Sequence, residues 1–454
     1  MRTTDVRRLS LVALITLLLV AGCSSGGSSG GKTIKIAYQL FGGFTQFDVW
    51  IKGVKTDFEK ANPGTTLKLI PIQASENDYY TKLDVMQGST ATSPDISYED
   101  TFLINSDVKA GFLRPLDGYL NSWSDWSQFP DSAKSAAKGL DGKTYGVPMG
   151  TDTRALWYNK ALLQQAGVPV PWEPKTWGDV LSAARAVKAK EPGVTPINVY
   201  SGKPAGEAST MQGFEMLLYG TPSGTLYDTN SKKWVAPSSG FESALGFVQT
   251  VYKEGLALTP QQALDPNIFT VIQQQMLPAS KLAIDLDGSW LPGTWIANGP
   301  KPWPQWSDTL GVAPMPTEKG QPPGAVSMSG GWTLAIGQKS QNPDLAWKLI
   351  TLALNKGNSV AYDIATSQIA VRNDVAADPK YLAGNPTQKV FTDLVKVTFY
   401  RPAYPVYPQV SNSVQVAMES VMTGQMSTSS AMNAYTQSVK QIVGQGSIQP
   451  AGTG

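Results

Sequence analysis

The alternation of strand and helix signals near the start of the chain narrows the fold more than any other feature. Residues 32–38 read Lys-Thr-Ile-Lys-Ile-Ala-Tyr, the period-two pattern of a half-buried strand. Phe47, Trp50, Ile51, Val54 and Phe58 then recur at i, i+3, i+4, i+7 and i+11, the apolar stripe of an amphipathic helix. Asn62-Pro63-Gly64 stops that helix, because proline cannot continue it and glycine accepts unusual dihedrals. Residues 67–72 predict a second strand, residues 78–87 a helix and residues 95–98 a short third strand. Strand, helix, strand, helix, strand implies the α/β class with a largely parallel sheet.

The same reading continues to the C-terminus. Residues 145–148 and 156–159 predict strands on either side of a crossing, and Thr176 is placed to cap a helix through Lys188, with Val180, Ala183, Ala184 and Val187 on one face. Residues 281–286 and 332–336 read as strands, and residues 344–354, 412–422 and 429–443 as helices. Residues 291–325, rich in Pro, Gly and Trp, are expected to be a loop-heavy excursion. No repeat of solenoid period is visible.

Composition removes several function classes. Histidine is absent and Cys23 is the only cysteine, so no disulfide, no zinc or copper site and no cofactor is expected. The chain has 37 basic and 35 acidic residues. Three of the former and one of the latter lie before residue 23, so the remainder is neutral. A neutral chain without basic runs argues against nucleic acid or anionic surfaces as partners. The 13 Trp, 17 Tyr and 13 Phe supply core, and in a chain with few charges they also suit stacking on the apolar faces of sugars.

Residues 1–22 have the form of a secretory signal peptide: Arg2, Arg7 and Arg8, then an apolar run over residues 9–21, too short to span a bilayer comfortably. Val20-Ala21-Gly22-Cys23 resembles a bacterial lipobox, in which the cysteine becomes the lipidated first residue of the mature protein. Residues 24–31 are all Ser or Gly and serve as a flexible tether reaching roughly 15 Å. Two acyl chains, at roughly 0.8 kcal/mol per buried CH₂, suffice for a stable anchor. The expected location is the outer face of the bacterial cytoplasmic membrane, with the membrane met through the lipid alone.

Several phrases, in order, resemble the maltodextrin-binding-protein branch of the extracellular solute-binding proteins of ABC importers. They include Phe58-Glu59-Lys60-Ala61-Asn62-Pro63-Gly64, Ser93-Pro94-Asp95-Ile96, Gly111-Phe112-Leu113-Arg114-Pro115-Leu116-Asp117, Gly142-Lys143-Thr144-Tyr145-Gly146-Val147-Pro148 and Leu156-Trp157-Tyr158-Asn159-Lys160. Asp287-Gly288-Ser289-Trp290, Gly330-Gly331-Trp332 and Asn342-Pro343-Asp344-Leu345-Ala346-Trp347 follow. The resemblance implies a two-lobed type II binding-protein fold, each lobe a mainly parallel sheet flanked by helices, with ligand in the cleft. It implies lobes discontinuous in sequence: residues 32–150 plus 332–378, and residues 151–331 plus 379–446, followed by a tail at 447–454. The crossings are expected near residues 149–154, 327–332 and 375–385. A carbohydrate ligand, the transmembrane subunits of an ABC permease as partner, and a monomer are implied as well.

Ligands of open α/β sheets sit beyond the carboxyl ends of strands, where backbone groups are free. That rule selects Gln39 and Phe41, in the run Gln39-Leu40-Phe41-Gly42-Gly43, and Glu99 and Asp100, whose carboxylates can take paired hydroxyl hydrogen bonds. Asp100 is equally suited to capping the turn. Asp152 and Arg154 lie at the crossing; in the resembling family Asp152 stands at a ligand carboxylate, and an ion pair between the two is the other reading. Trp290 and Trp332 follow small residues and are the stacking candidates, with core burial as the alternative. Asp287 either contacts ligand or caps its turn. Gly330 and Gly331 allow a backbone N–H close to a sugar oxygen. Arg401 either donates a fork to hydroxyls or holds a cleft carboxylate in place, with a surface arginine as the other reading. Trp123, Trp126, Trp303 and Trp306 are assigned to loop packing or to the rim of the cleft.

Three functions are weighed. The first is a lipoprotein that binds a carbohydrate, an oligosaccharide by preference, and delivers it to a permease without catalysis. The second is a binding protein for a non-sugar solute such as a glycerophosphodiester. The third is a secreted glycoside hydrolase, for which Glu99/Asp100 and Asp285/Asp287 are the nearest carboxyl pairs.

Overall fold

The computed structural model describes residues 32–41 and 45–451. The signal peptide, Cys23 and its tether, Gly42, Gly43 and the last three residues of the expected tail lie outside the described residues.

The first sheet is built on strand Lys32–Leu40, which pairs in parallel with Thr65–Gln73 over its whole length and with Ile96–Asp100 on its other side. Helix Gln46–Ala61 covers it with Phe47, Trp50, Ile51, Val54 and Phe58, the stripe read from the sequence, all buried. Burying each such side chain contributes roughly 1.5–3 kcal/mol. Its backbone N–H at Asn62 closes on Phe58 O, and Gly64 turns the chain at φ 80° into the next strand. Helix Pro343–Ala353 seals the same core with Ala346, Leu349 and Ile350.

The sheet is then completed by chain that comes from elsewhere. Strand Gly331–Ile336 runs antiparallel between Ile96–Asp100 and Gly146–Thr151. The sheet is thus mainly parallel, as expected, and mixed through the inserted strand alone: Lys32–Leu40, Thr65–Gln73, Ile96–Asp100 and Gly146–Thr151 run one way and Gly331–Ile336 runs against them.

The second sheet has the order Leu310–Ala313, Arg154–Asn159, Leu282–Gly288, Thr195–Asn198 and is also mixed. Leu310–Ala313 lies inside the region expected to be loop-heavy. That region also holds Trp295 and Trp306, both buried and packed on Trp157 at 5.9 and 6.1 Å between ring centroids. Its Pro and Gly content hid an edge strand and a tryptophan core. Helix Trp177–Lys190 begins at a capping box formed by Thr176 and Asp179. Helices Ser239–Lys253, Tyr407–Met422 and Thr428–Val443 pack on the same side. The expected tail is partly docked: Ile448–Gln449 pairs in parallel with Lys233–Val235.

Two short links leave the first sheet, one for the second sheet and one for a three-stranded sheet of Met315–Pro316, Ala325–Ser329 and Thr398–Tyr400. Only Asp152 and Thr153 separate strand Gly146–Thr151 from Arg154–Asn159, and only Gly330 separates Ala325–Ser329 from Gly331–Ile336. Thr151 and Ile369 exchange both backbone hydrogen bonds, at 2.9 and 2.7 Å, beside these links. Ala325–Ser329 also pairs with Thr398–Tyr400, which delivers Arg401 to the same place.

Candidate functional site

An open cleft, with about 1080 Å³ of empty space including the solvent at its mouth, lies where the strand ends of both sheets face each other. Gln39, Phe41, Asp100, Asp152, Arg154, Trp290, Gly330, Gly331, Trp332 and Arg401, ten of the residues selected from the sequence, line it.

Trp332 stands at the start of its strand, opposite Asp100. Its indole lies flat on the Tyr98 ring, with centroids 4.3 Å apart and planes 3° from parallel. Tyr98 is held from behind by Phe47 at 4.5 Å and by its hydroxyl contact with the Tyr362 hydroxyl at 3.0 Å. One indole face is thus fixed by packing. Trp290 enters from the second sheet. A Cβ on Gly288 would come within 1.9 Å of the Trp290 ring, so the glycine makes room for the indole. The Arg154 guanidinium lies 4.7 Å from the Trp290 ring centroid.

Arg154 and Asp152 are both buried and form an ion pair through Arg154 Nη1 and Asp152 Oδ1. Asp152 Oδ1 also accepts the Gly330 N–H at 2.8 Å, and Arg154 Nη1 donates to Met328 O at 3.2 Å. The two links between the sheets are therefore tied together at the cavity floor. Both readings of Asp152 meet here: it pairs with Arg154 and lines the cavity.

Arg401 resolves in favour of holding carboxylates. Its Nη2 donates to Asp100 Oδ1 at 2.7 Å and its Nη1 to Glu207 Oε2 at 3.3 Å, while the guanidinium covers the Phe102 ring at 4.0 Å. Burial works against its charge, but Asp100 and Glu207 outweigh that and hold it well above its ordinary range. Asp100 also accepts the Phe102 N–H at 3.3 Å, so it caps its turn as well.

Glu99 and Asp287 do not line the cavity. Successive residues of a strand face opposite sides. Glu99 therefore turns into the first sheet's covered face, where it accepts from Gln87 Nε2 at 3.3 Å and shares a buried site with Asp107. Burial raises both carboxyls; Glu99 raises Asp107 further, whereas the hydrogen bond with Asp107 works against the rise of Glu99. Asp287 is fully buried and accepts from Tyr200 OH at 2.9 Å, Gln273 Nε2 at 3.3 Å and the Gly288 N–H at 2.7 Å. Burial pushes it up to about 6.

The cavity also has walls that sequence reading missed: Gln46, Glu76, Glu207, Met211, Gln212, Phe269 and Gln368. Glu76 opens helix Glu76–Gly88, just past strand Thr65–Gln73, and the strand-end rule applied to that strand selects it. Glu207, Met211 and Gln212 belong to a wholly buried stretch around the π-helical turn Ser209–Glu215, which has no strand or helix period to announce it. Across the opening, Phe41 meets Phe269 edge-on at 5.2 Å and Gln46 Nε2 donates to Gly293 O at 2.7 Å.

Comparison with known proteins agrees with this layout. Residues 42–360 match the model of the family described as bacterial extracellular solute-binding protein. The chain is 24% identical over 442 residues to the maltodextrin-binding protein of Bacillus subtilis, covering 95% of this chain and 96% of that one. It is 21% identical over 446 residues to the galactooligosaccharide-binding protein of the same organism, covering 95% of each. Among solved structures, the GacH receptor of Streptomyces glaucescens superposes with a TM-score of 0.77 at 22% identity, covering 91% of this chain and 99% of that one. Maltose-bound MalE3 of T. maritima gives 0.75 at 21% identity, covering 90% and 100%. The fold is therefore the two-lobed one, and the chain belongs to the bacterial extracellular solute-binding proteins, an exported family of substrate-binding proteins.

Proposed function

We propose that this chain is the substrate-binding lipoprotein of an ABC importer and that it captures a carbohydrate, an oligosaccharide by preference, in the cleft between its lobes. The observation that carries the reading is the pair of indoles, Trp332 backed by Tyr98 and Trp290 beside Arg154, lining one cavity with Gln39, Gln46, Gln212 and Asp152. A pyranose has C–H faces that leave water on an aromatic ring and hydroxyls that need partners at the rim. Hydrogen bonds at roughly 0.5–1.5 kcal/mol each, with two stacked rings, reach micromolar affinity, near −8 kcal/mol. The sugar-binding relatives and the maltose-bound neighbour support the same ligand class.

The cavity's charge balance opposes the glycerophosphodiester. Three carboxylates (Asp100, Asp152, Glu207) and the Glu76 carboxyl face two guanidiniums (Arg154, Arg401), and each guanidinium is already engaged by a carboxylate. A hydrolase is opposed as well, because Glu99, Asp285 and Asp287 are buried outside the cavity lining and leave neither proposed carboxyl pair facing a ligand. The solute is passed on unchanged, and no glycosidic bond is broken. The partner is the permease of the importer, the protein acts as a monomer, and Cys23 carries the lipid that holds it to the membrane. The lobes are residues 32–150 plus 332–378 and 151–331 plus 379–446.

Titrating the mature protein with a panel of neutral oligosaccharides, read by tryptophan fluorescence and melting temperature, tests the reading. A change in both with at least one oligosaccharide is expected. No response across a broad panel, or heat of binding with a glycerophosphodiester instead, overturns it. Labelling cells with a palmitate analogue tests the anchor: the wild type takes the label and Cys23→Ala is released to the medium.

A further inference from the structure

One tyrosine hydroxyl behind the cavity wall has two carboxyls to satisfy. Tyr80 OH lies 2.8 Å from Glu76 Oε1 and 3.0 Å from Asp100 Oδ2. A phenol carries one proton and can serve one carboxylate; the second contact is a hydrogen bond only if that carboxyl brings a proton of its own. Asp100 is the one paired with a cation, because its other oxygen takes Arg401 Nη2 at 2.7 Å. Among the described residues Glu76 has no cation within ion-pair distance. The groups that face it are Tyr80 on its own helix, Asp100 from the strand end, and Glu207 and Arg401 from the opposite wall.

The arrangement is repeated one step further along the wall. Tyr407 OH lies 3.4 Å from Glu207 Oε2 and 3.2 Å from Glu215 Oε1. Arg401 and Ser411 satisfy Glu207 as an anion, which leaves Glu215 to hold the proton. A continuous chain, Glu76–Tyr80–Asp100–Arg401–Glu207–Tyr407–Glu215, therefore carries one arginine and four carboxyls, and its geometry closes when the two end carboxyls are protonated. The outer end, Glu76, lines the cavity; Glu215 is buried behind it.

We propose that Glu76 is a solute-contacting residue held in its protonated form, donating its proton to Tyr80 and offering the solute a neutral carbonyl acceptor, so that affinity falls as Glu76 ionises. Burial in the cleft, followed by the Asp100 carboxylate, pushes Glu76 up to about 7, which agrees with the hydrogen-bond geometry. Ionisation removes the donor to Tyr80 and sets an unpaired anion beside Asp100, loosening the wall that the solute touches. The inference rests on the cleft as the solute site and adds that its recognition is neutral at this end, suited to a hydroxyl and to no charged group.

The substitution Glu76→Gln mimics the protonated acid: its amide donates to Tyr80 and its carbonyl faces the cavity. Infrared difference spectroscopy on the unliganded protein, wild type minus E76Q, reads the proton directly. A protonated-acid carbonyl band is expected at about pH 6 that disappears by about pH 8.5. Its absence at pH 6 overturns the proposal whatever the solute is. Maltotriose titrated over the same range is the binding probe. Wild-type affinity is expected to fall by roughly tenfold with rising pH, E76Q to stay near the low-pH wild-type value throughout, and Glu76→Ala to bind roughly tenfold more weakly at every pH. E76Q as weak as E76A at pH 6, or wild-type affinity that rises with pH, means the anion is the active form and sinks the proposal. If maltotriose fails to bind any of the three, the carbohydrate reading suffers while the infrared band alone decides the proton.

Discussion

Arg401 is the side chain on which the cleft's charge balance turns. It is buried, it separates Asp100 from Glu207, and it reaches them from a segment far along the chain. Removing it leaves two buried carboxylates without their cation, a change that typically costs about 3–5 kcal/mol. Arg401→Ala is therefore expected to lower the chemical-denaturation midpoint strongly and to abolish solute binding; a variant of wild-type stability contradicts its role as the clamp. Trp332 makes a different prediction. Its stack on Tyr98 survives in Trp332→Phe, which is expected to keep most of the affinity, whereas Trp332→Ala loses the platform and roughly tenfold or more in binding. Equal affinity of the alanine variant and the wild type would remove Trp332 from the site.

At the scale of elements, two helical segments that follow each other along the chain differ in what they tolerate. Helix Trp177–Lys190 starts at an exposed capping box, and Thr176→Ala is expected to lower stability by only about 1 kcal/mol with binding unchanged. The π-helical turn Ser209–Glu215 is buried throughout, and a Cβ on Gly213 would lie 1.8 Å from Tyr200 O. Gly213→Ala must move backbone, with an expected loss of about 3 kcal/mol and weakened binding, since Met211 and Gln212 of the same turn line the cavity. Equilibrium unfolding of the pair, with binding measured alongside, checks both; a larger loss for T176A than for G213A contradicts this division. The helices and parallel strands were legible because each carries its own period. The inserted strand Gly331–Ile336 was legible as a strand, but its direction and neighbours were not, because pairing across the chain leaves no local mark.

The whole molecule should respond to pH through its carboxyls, since the chain has no histidine. Burial pushes Glu76 up to about 7, Glu215 to about 8, and Asp84 and Asp287 to about 6. The native state then keeps protons that the unfolded chain has already released above the ordinary carboxylate range. Stability is highest at the acidic end of this window and falls as pH rises through it to about 8. The surface carboxyls held below their ordinary range, such as Glu59 and Glu254 beside Lys55 and Arg185, lose their contribution only in stronger acid and do not reverse the trend. Calorimetry is expected to show a melting temperature several degrees lower at about pH 8.5 than at about pH 5.5, with the slope reduced in Glu215→Gln. A flat or rising profile excludes the protonated pairs.

By itself the sequence determined the strand-and-helix alternation, the helix stops and caps, and ten of the positions that line the cleft, because hydrophobic period, capping chemistry and strand ends are local properties. It placed Asp100, Asp152, Trp290 and Trp332 at strand ends without any knowledge of what faces them. Only the tertiary structure decided that Glu99 and Asp287 turn inward, that Arg401 is spent on Asp100 and Glu207, and that Glu76 and Glu207 join the wall. Those outcomes depend on contacts between segments up to some three hundred residues apart, where burial and charge are set by partners that no stretch of sequence contains.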